Sequence, residues 1–261
     1  MIRIALRLGG AAFFSVVALV ALFLVNAWSG DDVGAIHGLP LDHFKCYLTT
    51  GRPANDAVVL RDQFDAAAGI VEDAKVRRPV RFCNPVEKTD AAGVVTPISD
   101  PNAHLKLYLI DTQPAPSRTV IVSNQFGPNQ ALTVSNPEVL AVPTRKLPFP
   151  PPAPNALDHF KCYRAEGASI NTAVQLKDQF HTESDVRVAQ PFGFCNPVEK
   201  THAGVVTPIN HPLDHLVCYV IAGTPFTTVV RVQNQFGRER LKLSTADLLC
   251  VPSQKLTGPV P

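Results

Sequence analysis

One structural plan is written four times along this chain, and that repetition constrains the fold more than anything else in it, because each unit must solve the same burial problem. LDHFKCY at residues 41–47 returns unchanged at 157–163, and DQF follows in each copy at 62–64 and 178–180. FCNPVEKT then closes both segments at 82–89 and 194–201, and GVVTPI comes next at 93–98 and 204–209. A weaker version of the plan follows each copy. NAHLKLY (102–108) and LDHLVCY (213–219) echo the opening strand, NQFG (124–127 and 234–237) echoes DQF, and AVPTRK (141–146) and CVPSQK (250–255) echo CNPVEK.

The chain therefore divides into quarters of about 50 residues. We expect them to pair into two domains, residues 38–147 and 155–257, joined by a proline-rich linker at 148–154. The stretch LPFPPPAPN (147–155) favours an extended polyproline conformation, a stiff spacer of about 25 Å at about 3 Å per residue, holding the domains apart. Within a quarter, Phe44 and Cys46 alternate with His43, Lys45 and Tyr47, the period-two pattern of a half-buried strand. Leu105, Leu107 and Leu109 alternate with His104, Lys106 and Tyr108 in the same way. The chain has 24 prolines and is rich in valine and threonine, with no long apolar stretch at helical spacing beyond its start, which points to short strands and turns. The expected fold is all-β: two tandem sandwich or partly closed barrel domains, each of two pseudo-twofold-related quarters. One quarter alone would expose an apolar sheet face, so two should pack their faces together.

Arg3 and Arg7 precede an apolar run over residues 11–25 interrupted only by Ser15, the layout of a secretory signal peptide, with cleavage expected after Ala27. An uncleaved anchor of about 18 residues is the alternative reading. The net charge of +2 has its cations scattered among acids, so nucleic acid is not an expected partner, and a membrane only through the N-terminal segment. The absence of an N-x-S/T acceptor suits a bacterial exported protein.

Six cysteines in an exported chain suggest three disulfides. Three quarters carry one cysteine in the opening strand and one in the closing strand: Cys46 with Cys83, Cys162 with Cys195, Cys218 with Cys250. The second quarter has Leu107 and Ala141 at the matching positions, so both are lost together, as partners would be. Each bridge would close a loop of about 31 to 36 residues, worth about 3.5–4 kcal/mol in the chain-entropy model.

His43, His104, His159 and His215 recur at one position, each four residues before Tyr47, Tyr108, Tyr163 or Tyr219. A catalytic set is assembled once from dissimilar elements, whereas these recur with the scaffold. We read each imidazole as bonding a backbone group or the neighbouring sheet, and each tyrosine as covering a sheet face with its hydroxyl in water. Gln63, Gln125, Gln179 and Gln235, each followed by Phe64, Phe126, Phe180 or Phe236, read as a turn-satisfying amide beside a core anchor. Pro85, Pro143, Pro197 and Pro252, each three residues before Lys88, Lys146, Lys200 or Lys255, should end each unit's last strand and protect an edge. His181, His202 and His211 crowd the loops of the second half, where a loop metal site is the alternative to solvated histidines. No nucleophile elbow, zinc-protease helix, P-loop or dinucleotide fingerprint occurs. The expectation is no catalytic residue, no metal and no cofactor.

The ordered pattern LDHFxCY, DQF, CNPVxK, NQFG, LLCVPSxK resembles an uncharacterised family of bacterial exported proteins, a domain of unknown function, over nearly the whole chain after the signal. The resemblance implies no activity and no catalytic residues, and Leu107 and Ala141 depart from its cysteine pattern. The leading functional expectation is an exported, non-catalytic binding or structural module of the cell envelope, with an unknown protein or glycan at the cell surface as partner. Residues 65–73 exceed their counterpart 181–185 in length, so loops diverge where strands do not. The alternatives are a secreted or periplasmic hydrolase with an inter-domain groove, and a pure spacer.

Overall fold

The computed structural model describes residues 41–148 and 157–256. The expected signal segment at 1–27 and residues 149–154 of the linker lie outside them. No helix among the described residues is long and apolar enough to cross a membrane.

The all-β expectation holds. The first quarter contains β1 (Phe44–Thr50), β2 (Ala57–Arg61), a short helix α1 (Gln63–Ala68), β3 (Glu72–Pro85), β4 (Glu87–Thr89) and β5 (Val95–Thr96). The second contains β6 (Leu105–Asp111), β7 (Arg118–Asn124), β8 (Gly127–Pro143) and β9 (Arg145–Leu147). In the third lie β10 (Phe160–Gly167), β11 (Thr172–Lys177), β12 (Thr182–Pro197), β13 (Glu199–His202) and β14 (Val205–Thr207). The fourth has β15 (His215–Ile221), β16 (Thr228–Asn234) and β17 (Gly237–Leu256).

Each quarter's opening strand pairs antiparallel with its own closing strand, and each closing strand pairs with the next quarter's opening strand. The ladder runs β1–β3–β6–β8–β10–β12–β15–β17 and returns to β1, a closed ring of strands to which the four quarters contribute equally. This corrects the expectation of two domains held apart. The described residues all belong to one compact unit, and the ladders joining the halves, Phe160↔Ala141 and Phe44↔Cys250, are ordinary members of the ring. The physical reason is that closing the ring leaves none of these strands with an open edge, and β8 and β10, which come from different halves of the chain, are paired neighbours in the ring.

Alternate residues of all eight ring strands meet in one apolar cluster, including Phe44, Leu105, Phe160, Leu216 and Leu248. The three expected disulfides lie there, Cys46–Cys83, Cys162–Cys195 and Cys218–Cys250, each across a register pair. Leu107 and Ala141 form the fourth such pair without a bond.

The opposite face of the ring is buried too. Tyr47, Tyr108, Tyr163 and Tyr219 are at most 3% exposed, so the expectation that their hydroxyls reach water is corrected. What covers them are the outer strands β2, β7, β11 and β16. Each pairs with the closing extension of the quarter two places away, at equivalent rungs: Leu60↔Lys200, Val122↔Lys255, Leu176↔Lys88, Val232↔Lys146. Hence Pro85, Pro143, Pro197 and Pro252 do not end pairing, as expected from sequence. Pro85, Pro143 and Pro197 take the last rung of their ring ladders, and Pro252 the rung before His215↔Ser253, after which the chain continues onto another quarter's outer strand.

Candidate functional site

The residue that organises the polar interior is the one preceding each Gln-Phe pair. Asp62, Asn124, Asp178 and Asn234 each accept a hydrogen bond from the backbone N–H of Phe64, Phe126, Phe180 or Phe236 at 2.8–3.0 Å, fixing a tight side-chain turn. The remaining side-chain atoms reach the quarter two places away. Asp62 Oδ2 accepts from Tyr163 Oη at 2.8 Å and Asn196 Nδ2 at 2.9 Å, and Asp178 Oδ2 reciprocates with Tyr47 at 2.8 Å and Asn84 at 3.2 Å. Asn124 Nδ2 donates to Tyr219 Oη and Ser253 Oγ, and Asn234 Nδ2 to Tyr108 Oη and Thr144 Oγ1, at 2.9–3.1 Å. Where the turn residue is an acceptor-only carboxylate its second partner is an amide donor, and where it is an amide the second partner is a hydroxyl. First and third quarters thus exchange turns with each other, and second and fourth likewise.

Buried lysines, passed over in the sequence reading, follow the same exchange. Lys45 pairs with Glu183 at 3.1 Å, Lys161 with Asp65 at 3.0 Å and also with Glu72, and Lys106 with Glu239. Lys45, Lys106 and Lys161 are at most 1% exposed. At the fourth position stands Val217, and the residue matching the acids is Gln130, which accepts from Tyr219 Oη at 2.8 Å. Cation and anion are lost together, as they must be, since a lone buried charge is far costlier than a neutral pair. Burial lowers the Lys106 pKa to about 7. For Glu183 burial alone would raise the pKa, but the hydrogen bond from His181 and the charge of Lys45 outweigh it and hold it below its usual value.

The four recurrent histidines occupy four equivalent settings rather than one. Each is buried beside the lysine that closes its own quarter and an amide from the next: Gln125 for His43, Gln235 for His159 at 3.3 Å, Gln63 for His215 at 3.4 Å. Gln179 bonds Lys146, the lysine beside His104. Burial, and then the neighbouring ammonium group, lowers the pKa to about 4 for His43 and His215 and about 3 for His104 and His159. They are therefore neutral at pH 7. Burial also lowers the lysines, Lys200 to about 8.

His181, His202 and His211 are not brought together. They lie against Glu183, Asp56 and Asp158 respectively, and no metal-holding group of three or more ligands occurs among the described residues. The hydrolase alternative loses the inter-domain groove in which sequence reasoning set it, because the halves share one ring.

Two surfaces break the fourfold pattern. In the first quarter, Asp62 caps α1 and Gly69 closes it in a left-handed turn, lifting Ile70 and Val71 into solvent at 53% and 62% exposure. They border a cleft with Phe64, Pro116 and Arg118. In the fourth quarter, β16 and β17 present Arg231, Arg238 and Arg240 outward.

Fold and site define a closed, fourfold-repeated β scaffold, and its three disulfides are consistent with an extracytoplasmic setting. The chain belongs to the family of a repeat of unknown function (DUF7450), whose model matches residues 104–252, more than half of the chain. That match opens at the second quarter's histidine and ends at the fourth quarter's closing proline. No curated protein and no solved structure matches the chain.

Proposed function

We propose that this is an exported, non-catalytic binding module of the bacterial cell envelope, in which the ring is a rigid support and recognition falls to the surfaces that break its repetition. The observation that carries the reading is a division of labour. The polar residues repeated in all four quarters are engaged with other quarters of the same chain, whereas the exposed arginines and the α1 cleft have no equivalents in the other quarters. Loops and outer strands on a rigid frame are where binding residues concentrate.

The test is binding of the intact chain to an array of envelope glycans and to purified envelope proteins. The expected result is a defined set of ligands whose binding is lost on changing the cleft or the arginine face and retained on changing a repeated surface position. A chain that binds nothing on either array contradicts the reading.

A further inference from the structure

We propose that the outer face of β16 and β17 in the fourth quarter is a binding site for an anionic polysaccharide, one bearing carboxylate or sulfate groups along its length. The inference rests on the binding-module reading and names the ligand class of one of its surfaces.

The geometry is that of a cationic stripe on a sheet. Register pairs place Gln233 opposite Arg238, Arg231 opposite Arg240 and Val229 opposite Lys242. Residues directly opposite share a face, and period two along the strand puts Arg238, Arg240 and Lys242 on that face at steps of about 6.7 Å. Arg238, Arg240 and Lys242 are exposed, while Leu241 and Leu243 between and beyond them are fully buried. Arg52 joins the stripe, its guanidinium donating to Arg238 O at 2.9 Å.

These charges are uncompensated. Arg231 and Arg240 have no ion-pair partner among the described residues, and the Arg238 guanidinium donates to the neutral Gln233 at 3.1 Å. Glu239 alternates out of the stripe and lines the edge of one depression, but its carboxylate is taken by Lys106 and by the backbone N–H of Arg52 at 2.9 Å. Like charges set directly opposite one another cost stability.

The other quarters show that the scaffold does not need the two facing arginines, although the position of Lys242 is also cationic in the first and third quarters, as Lys75 and Arg187. The rung equivalent to Arg231↔Arg240 is Ile121↔Ala131 in the second quarter and Val59↔Asp73 in the first, and the third quarter has Gln175 hydrogen-bonded to Ser184. Three copies of one fold do without arginine at a position where the fourth sets two face to face. A ligand compensates for that repulsion.

The shape selects a polymer. Two adjoining depressions of about 700 and 470 Å³ share Arg231 and Arg240, and the second continues over Leu147, Phe180 and the half-exposed Val229. A single small anion would engage one or two of cations spread over about 13 Å of strand. A charged polysaccharide crossing the sheet meets several, with the C–H faces of its sugar rings against the apolar residues. Single-stranded nucleic acid is recognised through exposed aromatic platforms, whereas Phe180, the aromatic lining this surface, is half-buried with Lys146 over its ring.

The test is calorimetric titration of the full chain with polygalacturonate at about 50 mM salt, repeated at rising salt, with neutral dextran, anionic phospholipid vesicles and single-stranded DNA as further arms. The expected result is salt-sensitive binding of polygalacturonate alone. The double variant Arg231→Ile, Arg240→Ala, which copies the second quarter, should lose about tenfold or more in affinity and about two units of log–log salt slope. Its melting temperature should equal or exceed the wild type's, and Arg187→Ala on the third quarter should change neither quantity. Binding unaffected by the double variant, absent at low salt, or equally strong to vesicles or DNA overturns the proposal. If polygalacturonate fails while the envelope arrays still yield a ligand, the site assignment falls and the binding-module reading stands. If both fail, both fall.

Discussion

The second and fourth quarters exchange their turns with each other, yet at equivalent positions they differ in three ways. The second has Leu107 and Ala141 where the fourth has the Cys218–Cys250 bridge. It has Lys106 where the fourth has Val217, and Ile121 and Ala131 where the fourth has Arg231 and Arg240. What they share is His104 and His215, Tyr108 and Tyr219, Asn124 and Asn234, and the register of the ring strands. The comparison separates what the topology requires, a clamp of neutral polar groups between quarters, from what is added to it: a covalent bond, an ion pair, a cationic surface.

The largest expected effect touches the shared part. The four histidines are neutral when folded, with pKa values lowered from 6.5 to about 3 or 4. Their contribution is therefore complete above pH 6.5 and lost as pH falls toward 4, because the unfolded chain takes up protons the folded chain refuses. Each can contribute up to about 1.4 kcal/mol per pH unit within that window. Asp42, Asp65 and Asp214, whose pKa values burial raises, act in the opposite direction. Denaturant unfolding at a series of pH values should show stability falling steeply below pH 6.5, and a flat profile from pH 7 to 5 would contradict neutral buried histidines.

Next comes the ion pair. Lys106→Val gives the second quarter the fourth's residue but strands Glu239, and should cost about 3–5 kcal/mol. Adding Glu239→Gln, which copies Gln130, should restore most of that loss. If the double variant is no more stable than the single one in urea unfolding, the parallel between Lys106 with Glu239 and Val217 with Gln130 is accidental.

A slightly smaller effect is expected from the disulfide. Cys218→Leu with Cys250→Ala installs the second quarter's pair and should lower stability by about 3–4 kcal/mol through loop entropy, leaving fold and strand content unchanged by circular dichroism. Collapse of the fold would show that the bridge dictates topology.

The smallest effects distinguish the two kinds of clamp. Tyr163→Phe removes a bond to the Asp62 carboxylate and should cost about 1.5–3 kcal/mol, whereas Tyr108→Phe removes one to the Asn234 amide and should cost about 1 kcal/mol. Equal losses in thermal melts would deny that the exchange differs in charge between the quarter pairs.

The repeat made strand position and the Cys46–Cys83, Cys162–Cys195 and Cys218–Cys250 pairings legible, because register and loss of paired residues leave marks in each copy, whereas the expected imidazole bonds to backbone proved to be contacts with glutamine side chains. Ring closure left no such mark. The close likeness of residues 41–98 and 157–209 reads as tandem duplication of a domain, but in the structure the first and third quarters are alike because they serve as each other's partners: Asp62 must suit Tyr163 and Asn196, and Asp178 must suit Tyr47 and Asn84. Lys45, Lys106 and Lys161 were invisible as buried charges because alternation assigns a face, and only the outer strands laid over it reveal that both faces are covered. The signal for them was there in the paired loss of lysine and acid at Val217 and Gln130.

The central claim is that four quarters make one cooperative ring. All three disulfides lie within quarters, so no covalent bond other than the peptide chain joins the halves. A protease site inserted within residues 148–154 and cut under non-reducing conditions should leave two fragments that co-elute at the size of the intact chain and melt in a single transition. Two half-sized fragments that separate on the column and melt independently would contradict the account.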